Sequence, residues 1–121
     1  MNSPAALNND WIPVCAINDI LPDTGVAAKL DQQQIAIFRI GHDQVFAVGN
    51  HDPFSGANVI SRGITGDING ELVVASPVYK QHFRLRDGVC VEDPEVSIGA
   101  WPVRLFDGVV IVCRNQRSRA A

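Results

Sequence analysis

The sequence predicts an all-β domain, a small barrel or sandwich of short antiparallel strands. Short runs rich in Val, Ile and Phe recur along the chain, and several alternate apolar with polar residues. Asx-Gly dipeptides, which supply the positive φ angles of tight hairpin turns, lie between three pairs of these runs. A helix-length amphipathic pattern is missing from the sequence. Evenly spaced strands and hairpin turns are typical of small closed or stacked β structures.

The elements follow in chain order. Residues 17–25 predict one helical turn, capped by Asn18 or Asp19 and ended by Pro22. The predicted strands are 34–40, 44–49, 71–76, 89–92, 102–106 and 109–114. The predicted type I′ turns are Asn69-Gly70, Asp87-Gly88 and Asp107-Gly108.

Alternation within one strand predicts which side chains face the core. Val103 and Leu105 are expected to face one way, and Arg104 and Phe106 the other. The segment 50–70 is Gly-rich and long for a loop of so small a domain. Long loops on a rigid β scaffold are where functional residues concentrate, so this segment is the candidate functional region.

Length and charge limit the classes of protein. The 121 residues suit a single domain, predicted at 11–114, with an N-terminal extension at 1–10 and a tail at 115–121. A net charge of −3 gives no basic face for nucleic acid or for an anionic membrane. Neither a signal peptide nor a run of about 20 apolar residues is present.

Three cysteines bear on the compartment. Cys15, Cys90 and Cys113 are an odd count, widely spaced, without a CxxC motif. Each lies among apolar neighbours, which predicts buried thiols rather than reactive ones. The sequence therefore predicts a reducing compartment, the cytoplasm.

Two stretches carry the pattern of a known family. "DPFSGA" (52–57) aligns with C-P-H-x-G-A, and "SPVYKQHFRLRDG" (76–88) aligns with C-P-x-H-G-x-x-F-x-L-x-x-G. In these features the chain resembles a Rieske domain, a small β fold that holds a 2Fe–2S cluster between two loops. The resemblance implies a Rieske-like β-barrel or sandwich with a cluster-binding subdomain. The four cluster-ligand positions hold Asp52, Phe54, Ser76 and Tyr79.

These four side chains are not Rieske ligands. A Rieske centre needs two thiolates on one iron and two imidazoles on the other. Phe54 has no lone pair, Tyr79 is a phenol with a pKa near 10, and Asp52 and Ser76 offer hard oxygen donors in place of sulfur. We therefore expect neither a cofactor nor a metal in this chain. Instead, a contact between the Phe54 and Tyr79 rings is expected to fill the space and hold the two loops together.

A narrower resemblance covers residues 11–113. "HDPFSGANVISRGI" followed by "SPVYKQHF", in a ligand-free Rieske domain of this length, resembles the small subunits of assimilatory NAD(P)H-dependent nitrite reductases. The resemblance implies a large partner subunit that carries FAD, a 4Fe–4S cluster and sirohaem. That subunit reduces nitrite to ammonia with electrons from the nicotinamide cofactor. The small chain would be an accessory subunit of this enzyme, without catalytic residues of its own.

The former cluster loops are the candidate partner interface. Its predicted residues are His51, Asp52, Phe54, Arg62, Tyr79, Lys80 and His82. Aromatic and cationic side chains on an exposed loop are typical of partner surfaces. The alternative interpretation is that Tyr79 is a core residue and that Lys80 and Arg62 are solvated charges. A mononuclear metal site of His51, Asp52 and His82 is disfavoured, because the side chains of adjacent residues diverge; exposed polar side chains are the favoured interpretation.

Two functions of other classes stay open. One is an independent redox carrier of the Rieske ferredoxin type, which the ligand positions oppose. The other is a free-standing module that binds a small molecule or a different protein. An apolar pocket beneath the 50–63 loop would favour that module.

Overall fold

The computed structural model describes residues 10–116, which form short β-strands connected by tight turns and two 3-10 turns, Ile17–Asp19 and Ile60–Arg62. The strands of this part of the chain are β1 (Trp11–Ala16), β2 (Thr24–Leu30), β3 (Gln33–Ile40), β4 (Gln44–Gly49), β5 (His51–Asp52), β6 (Ala57–Asn58), β7 (Ile64–Ile68), β8 (Glu71–Ala75), β9 (His82–Arg84), β10 (Ala100–Trp101), β11 (Val103–Phe106) and β12 (Val109–Cys113).

A four-stranded antiparallel sheet, in the order β10-β4-β3-β2, lies at the centre of the molecule. Its strand β3 is buried on both faces, which explains the unbroken apolar run in its sequence. Successive side chains of a strand point to opposite faces. Accordingly, Ile35 and Ile37 pack into one core, whereas Ala36 and Phe38 pack into a second.

The first core is closed by the three-stranded sheet β1-β12-β11. Val110 and Val112 of β12 and Trp101 of β10 are buried there with Ile35 and Ile37. In β11, Val103 and Leu105 are half-buried, and Arg104 and Phe106 are exposed. The predicted alternation of this strand is confirmed.

The second core lies on the other face of the central sheet and is closed by the sheet β7-β8-β9. Phe83 of β9 and Val74 of β8 are fully buried in it, together with Ile60. The hairpin β5-β6 extends from the end of β4 beside this second core. The two stretches that carry the Rieske-like pattern both belong to this half of the molecule.

The predicted strands are confirmed, with one exception. The run 89–92 contributes only isolated bridges, at Val89 and Cys90, rather than a strand. The helical turn predicted at 17–25 is limited to Ile17–Asp19, and β2 already begins at Thr24. The sequence did not predict the longer strands β1, β2 and β7, nor the short strands β5, β6, β9 and β10.

The segment 50–70 is not an open loop as predicted. It contains the hairpin β5-β6, the 3-10 turn Ile60–Arg62 and strand β7. Asn69-Gly70 and Asp107-Gly108 have positive φ at both residues, as type I′ turns require. Asp87-Gly88 has positive φ only at Gly88, so the type I′ prediction is wrong there. The Asp87 carboxylate instead accepts the Val89 N–H at 3.0 Å.

The predicted N-terminal extension, apart from residue 10, and the end of the predicted tail at 117–121 lie outside the described residues. Between residues 10 and 116, no helix is long and apolar enough to cross a membrane.

Candidate functional site

Two segments, 50–63 and 76–83, carry the Rieske-like pattern and lie against each other; they are called the tip below. The first segment follows β4 and includes the hairpin β5-β6. The second connects β8 to β9 through a turn in which the Ser76 N–H donates to the Gln81 carbonyl at 2.9 Å. The central sheet and the sheet β7-β8-β9 therefore each lead directly into one half of the tip.

A buried hydrogen bond joins the two halves of the tip. The Ser76 hydroxyl donates to Oδ2 of Asp52 at 2.6 Å. Oδ1 of the same carboxylate accepts the Phe54 N–H at 2.9 Å. Asp52 and Ser76 are both fully buried. These are the two positions at which the Rieske pattern has cysteines, so a direct side-chain hydrogen bond stands where two thiolates would bind one iron.

The hydrogen bonds keep Asp52 ionised. Burial raises the pKa of this carboxyl group, but the hydrogen bonds from Ser76, Phe54 and Ser55 together outweigh burial, and the pKa lies below its usual value. The buried charge is thereby satisfied by donors from both halves of the tip.

The tip does not fit a 2Fe–2S cluster. The Asp52 and Ser76 oxygens are 2.6 Å apart, the distance of an O–H···O hydrogen bond. Two oxygens on one tetrahedral metal lie more than about 3 Å apart, because each metal–oxygen bond is about 2 Å long. The other two ligand positions hold a phenyl ring and an exposed phenol. Neither the donor set nor its spacing suits iron.

The expected contact between Phe54 and Tyr79 is wrong. The Phe54 ring packs on Phe83 with 6.2 Å between ring centroids and 40° between planes. Tyr79 is 61% exposed, so its ring fills no space in the interior. The two halves of the tip are held by Asp52, Ser76 and the Phe54–Phe83 contact. The interpretation of Tyr79 as a core residue is also wrong.

The turn 77–80 presents apolar and cationic side chains to solvent. Val78, Tyr79 and Lys80 are all exposed. Lys80 has a φ of +69°, in the left-handed region that disfavours residues with a Cβ. It occupies the position at which the Rieske pattern has glycine. Asp23, Asp31, Asn69 and Asp107 also have positive φ, so Lys80 is singled out by its exposed cationic side chain and its place in the tip rather than by its backbone alone.

The two histidines of the tip have partners outside the former ligand positions. His51 Nδ1 lies 3.0 Å from the Asn58 side-chain oxygen. The Glu92 carboxylate accepts the His82 N–H at 2.8 Å and lies 2.6 Å from Nδ1 of the His82 ring. Burial raises the pKa of Glu92, yet the His82 hydrogen bonds hold it below its usual value.

Asp52 does not belong to an exposed surface. Its side chain is buried against Ser76, so its prediction as an exposed polar residue and as an interface residue is wrong. His51 and Arg62 are exposed, and Phe54 and His82 are half-buried. Over residues 10–116, no three His, Cys, Asp or Glu side chains lie close enough together to hold a metal ion.

The sequence did not indicate a role for Asn50, whose side chain holds the start of the tip against β3. Its buried side chain donates from Nδ2 to the Gln34 side-chain oxygen at 2.9 Å and accepts the Ser61 N–H at 2.7 Å. Asn50 thereby links β3 to both ends of the first tip segment. An asparagine directly after an apolar strand was the available indication, but its partners are distant in sequence.

The cleft beside the first tip segment is polar. It measures about 490 Å³ and is lined mostly by amide and charged side chains, among them Lys29, Gln33, Gln34 and Asn50. It does not have the apolar lining that a free-standing small-molecule module would require.

The thiols are poorly suited to chemistry. Cys90 and Cys113 are buried, as predicted, whereas Cys15 is half-buried. Burial raises the pKa of the Cys15 and Cys90 thiols, so both stay protonated at neutral pH.

Comparison with known proteins finds the same pattern. The family described as "Rieske-like [2Fe-2S] domain" matches residues 10–113. The nitrite reductase (NADH) small subunit of Escherichia coli strain K12 is 52% identical over 103 residues, which cover 84% of this chain and 95% of that protein. The solution structure of the nitrite reductase [NAD(P)H] small subunit of Erwinia carotovora has a TM-score of 0.78 at 46% identity, covering 92% of this chain and 86% of that one.

One relative carries a similar sequence inside a much longer chain. A Klebsiella oxytoca protein named nitrite reductase [NAD(P)H] large subunit is 45% identical over 113 residues. These residues cover 93% of this chain and 12% of that protein.

Proposed function

The chain belongs to the Rieske-like [2Fe-2S] domain family and, within it, to the small subunits of NAD(P)H-dependent nitrite reductase; from this membership we propose that it is an accessory subunit of such an enzyme in nitrite assimilation. It acts by binding. The tip docks on the large subunit and stabilises a productive arrangement of that subunit's own redox centres. No electron passes through this chain, because the former ligand positions hold no iron ligands.

The proposal rests on two features of the tip: a hydrogen bond joins two of the former cluster-ligand positions, and the turn 77–80 is exposed. The hydrogen bond between Asp52 and Ser76 holds the two halves of the tip together without iron. Tyr79 and Lys80 then lie exposed at its surface, with Lys80 in a strained conformation. An exposed tyrosine on a rigid support is a typical anchor of a partner interface, and the lysine beside it can pair with a carboxylate of the partner.

The Klebsiella relative supports the same partner. There, a sequence similar to this chain is continuous with a protein named as the large subunit. Two domains in one chain are held near each other at high effective concentration. We infer that this chain makes the corresponding contact as a separate subunit. As part of the proposal, the large subunit carries FAD, a 4Fe–4S cluster and sirohaem, and the assembly works in the cytoplasm.

The test is NADH-dependent nitrite reduction by the cognate large subunit, with and without this chain. We expect the intact chain to raise the rate and the Tyr79→Ala/Lys80→Ala variant to fail. The matched control is Phe106→Ala/Arg104→Ala, which also removes one exposed aromatic side chain and one exposed cation, on β11 of the sheet away from the tip. It should act like the intact chain. A large subunit that neither binds nor responds to the intact chain would overturn the proposal.

A further inference from the structure

The exposed large hydrophobic side chains of residues 10–116 concentrate beside the tip. Val78 and Tyr79 belong to the tip itself, and Ile64 and Val91 lie next to it. The remaining two are Leu21, in the loop before β2, and Phe106, in β11. Ile64 is 74% exposed and is the first residue of β7, an edge strand of its three-stranded sheet.

Strand register places Ile64 and Val91 in one row. Ile64 pairs with Ala75, and Ala75 pairs with His82. The Val91 N–H donates to the His82 carbonyl at 2.8 Å. Ile64, Ala75, His82 and Val91 therefore run across β7, β8, β9 and the segment beyond; they are called the outer row below.

Ile64 and Val91, the two ends of the outer row, are exposed, whereas Ala75 and His82 between them are half-buried. The neighbouring row pairs Val74 with Phe83 and Phe83 with Cys90, and all three are fully buried in the second core. Residues one position along a strand point to the opposite face, and directly paired residues share a face. The outer row thus lies on the face turned away from the core. Polar residues are the rule on the solvated face of an antiparallel sheet, so two exposed aliphatic side chains there indicate a contact surface.

The outer row continues directly into the tip. Ala75 precedes Ser76, where the second tip segment begins, and His82 is part of that segment. Val78 and Tyr79 are exposed on the turn that joins Ala75 to His82, so the exposed apolar side chains of the turn and of the outer row lie on neighbouring segments. His82 and its partner Glu92 supply a polar edge.

Unpaired positive charge accompanies this surface. In the part of the chain that the structure describes, Arg62 and Lys80 form no ion pair, and neither do Lys29, Arg39 and Arg104 elsewhere in the fold; Arg84, Arg86 and Arg114 each contact a carboxylate. Arg62 lies two residues before Ile64, and Lys80 lies on the turn. In a chain with a net charge of −3, two unpaired cations beside an apolar surface fit a partner surface that is apolar and bordered by carboxylates.

Building on the proposed function, we propose that the docking surface extends from the tip over the outer row, with Ile64 and Val91 as its apolar contacts. The occupant is the large subunit, through an apolar patch bordered by carboxylates. Continuity with the tip argues for this occupant. So does the Klebsiella relative, in which a similar domain is joined to a protein of that name.

The experiment measures the affinity of the full chain for the purified large subunit by isothermal titration calorimetry. The test variant is Ile64→Thr/Val91→Thr, because threonine keeps the β-branched shape and strand preference while adding a hydroxyl that must lose its water on docking. We expect Kd to rise at least about tenfold, with an unchanged melting temperature. The matched control, Phe106→Thr, alters an exposed side chain of another sheet and should change Kd by less than about twofold.

The other outcomes separate this inference from the proposed function. If Ile64→Thr/Val91→Thr binds like the intact chain while Tyr79→Ala/Lys80→Ala binds weakly, the outer row is excluded and docking through the tip stands. If the intact chain does not bind the large subunit, both proposals fail. If the threonine variant abolishes self-association in sedimentation and leaves binding to the large subunit unchanged, the outer row is a contact between copies, and the inference is overturned.

Discussion

Asp52 and Ser76 are joined by a direct hydrogen bond at the positions where a Rieske domain has two ligands of one iron. Both side chains are buried, and the bond between them crosses from one tip segment to the other. Hydrogen bonds from a hydroxyl and a backbone N–H to an ionised carboxylate are stronger than hydrogen bonds between neutral groups. This explains how the two halves of the tip stay together without a cluster.

The sequence located Asp52 and Ser76 at ligand positions but did not predict their bond. The two residues are 24 positions apart, and only the packing of the tip brings them together. The sizes of the Phe54 and Tyr79 rings predicted instead that these two side chains fill the space of the cluster. Residue type alone does not show whether a tyrosine in a turn packs inward or, like Tyr79, faces solvent.

A double-mutant cycle measures the Asp52–Ser76 bond. We expect Asp52→Ala and Ser76→Ala each to lower the free energy of unfolding by about 2 kcal/mol, because each leaves a buried polar partner unsatisfied. The double variant should lose less than the sum of the two, by about 1 to 2 kcal/mol. Urea denaturation followed by circular dichroism gives the four free energies. Strictly additive effects would show that the two side chains do not stabilise each other.

Strands were predicted where the residues themselves favour extended structure. β3, β4 and β12 are rich in Val and Ile and follow this rule. β1 and β2 contain Pro13, Ala27 and Lys29, which have low strand preference. β1 pairs with β12 and β2 with β3, so tertiary pairing rather than local preference makes them strands. The same limit explains why β7 was taken as part of a loop.

The retained Rieske-like positions serve the fold rather than a cluster. Phe83 and Leu85 are buried in the second core. Gly88 has a φ of +76°, and a Cβ there would collide with the backbone of Gly99. These requirements persist without iron, which is why the pattern predicted the fold correctly while its ligand positions diverged.

The turn 77–80 allows stability to be separated from docking. Lys80→Gly should leave the melting temperature unchanged or raise it, because glycine removes a left-handed conformational cost of about 1 kcal/mol. The same variant should bind the large subunit more weakly, since the cation is lost. Thermal denaturation and titration calorimetry on the same preparations measure the two effects.

Asp107→Gly is the control for Lys80→Gly. Asp107 also has positive φ, in the hairpin turn between β11 and β12, away from the tip and the outer row, so glycine relieves a similar conformation there. It should leave affinity unaltered. Equal affinity for the intact chain and Lys80→Gly would remove Lys80 from the interface.

The whole molecule is a central sheet between two covering sheets, and the tip lies beside one of the two cores. Composition and hairpin turns predicted the all-β class, and the family pattern predicted the Rieske-like architecture. The outer row could not be predicted, because it depends on the register of β7, β8 and β9 with the segment after Val89. In the sequence, Ile64 lies in a segment predicted as a loop and Val91 in a predicted strand, and only the structure shows that both side chains are exposed.

The central claim is that the tip is a docking surface. Its most direct test is hydrogen–deuterium exchange of this chain with and without the large subunit. We expect slower exchange in 53–56 and 77–81, and in Ile64 and Val91 if the outer row takes part, with no change at the Asp107-Gly108 turn. Protection confined to the sheet β1-β12-β11 in a complex that does form would contradict the account.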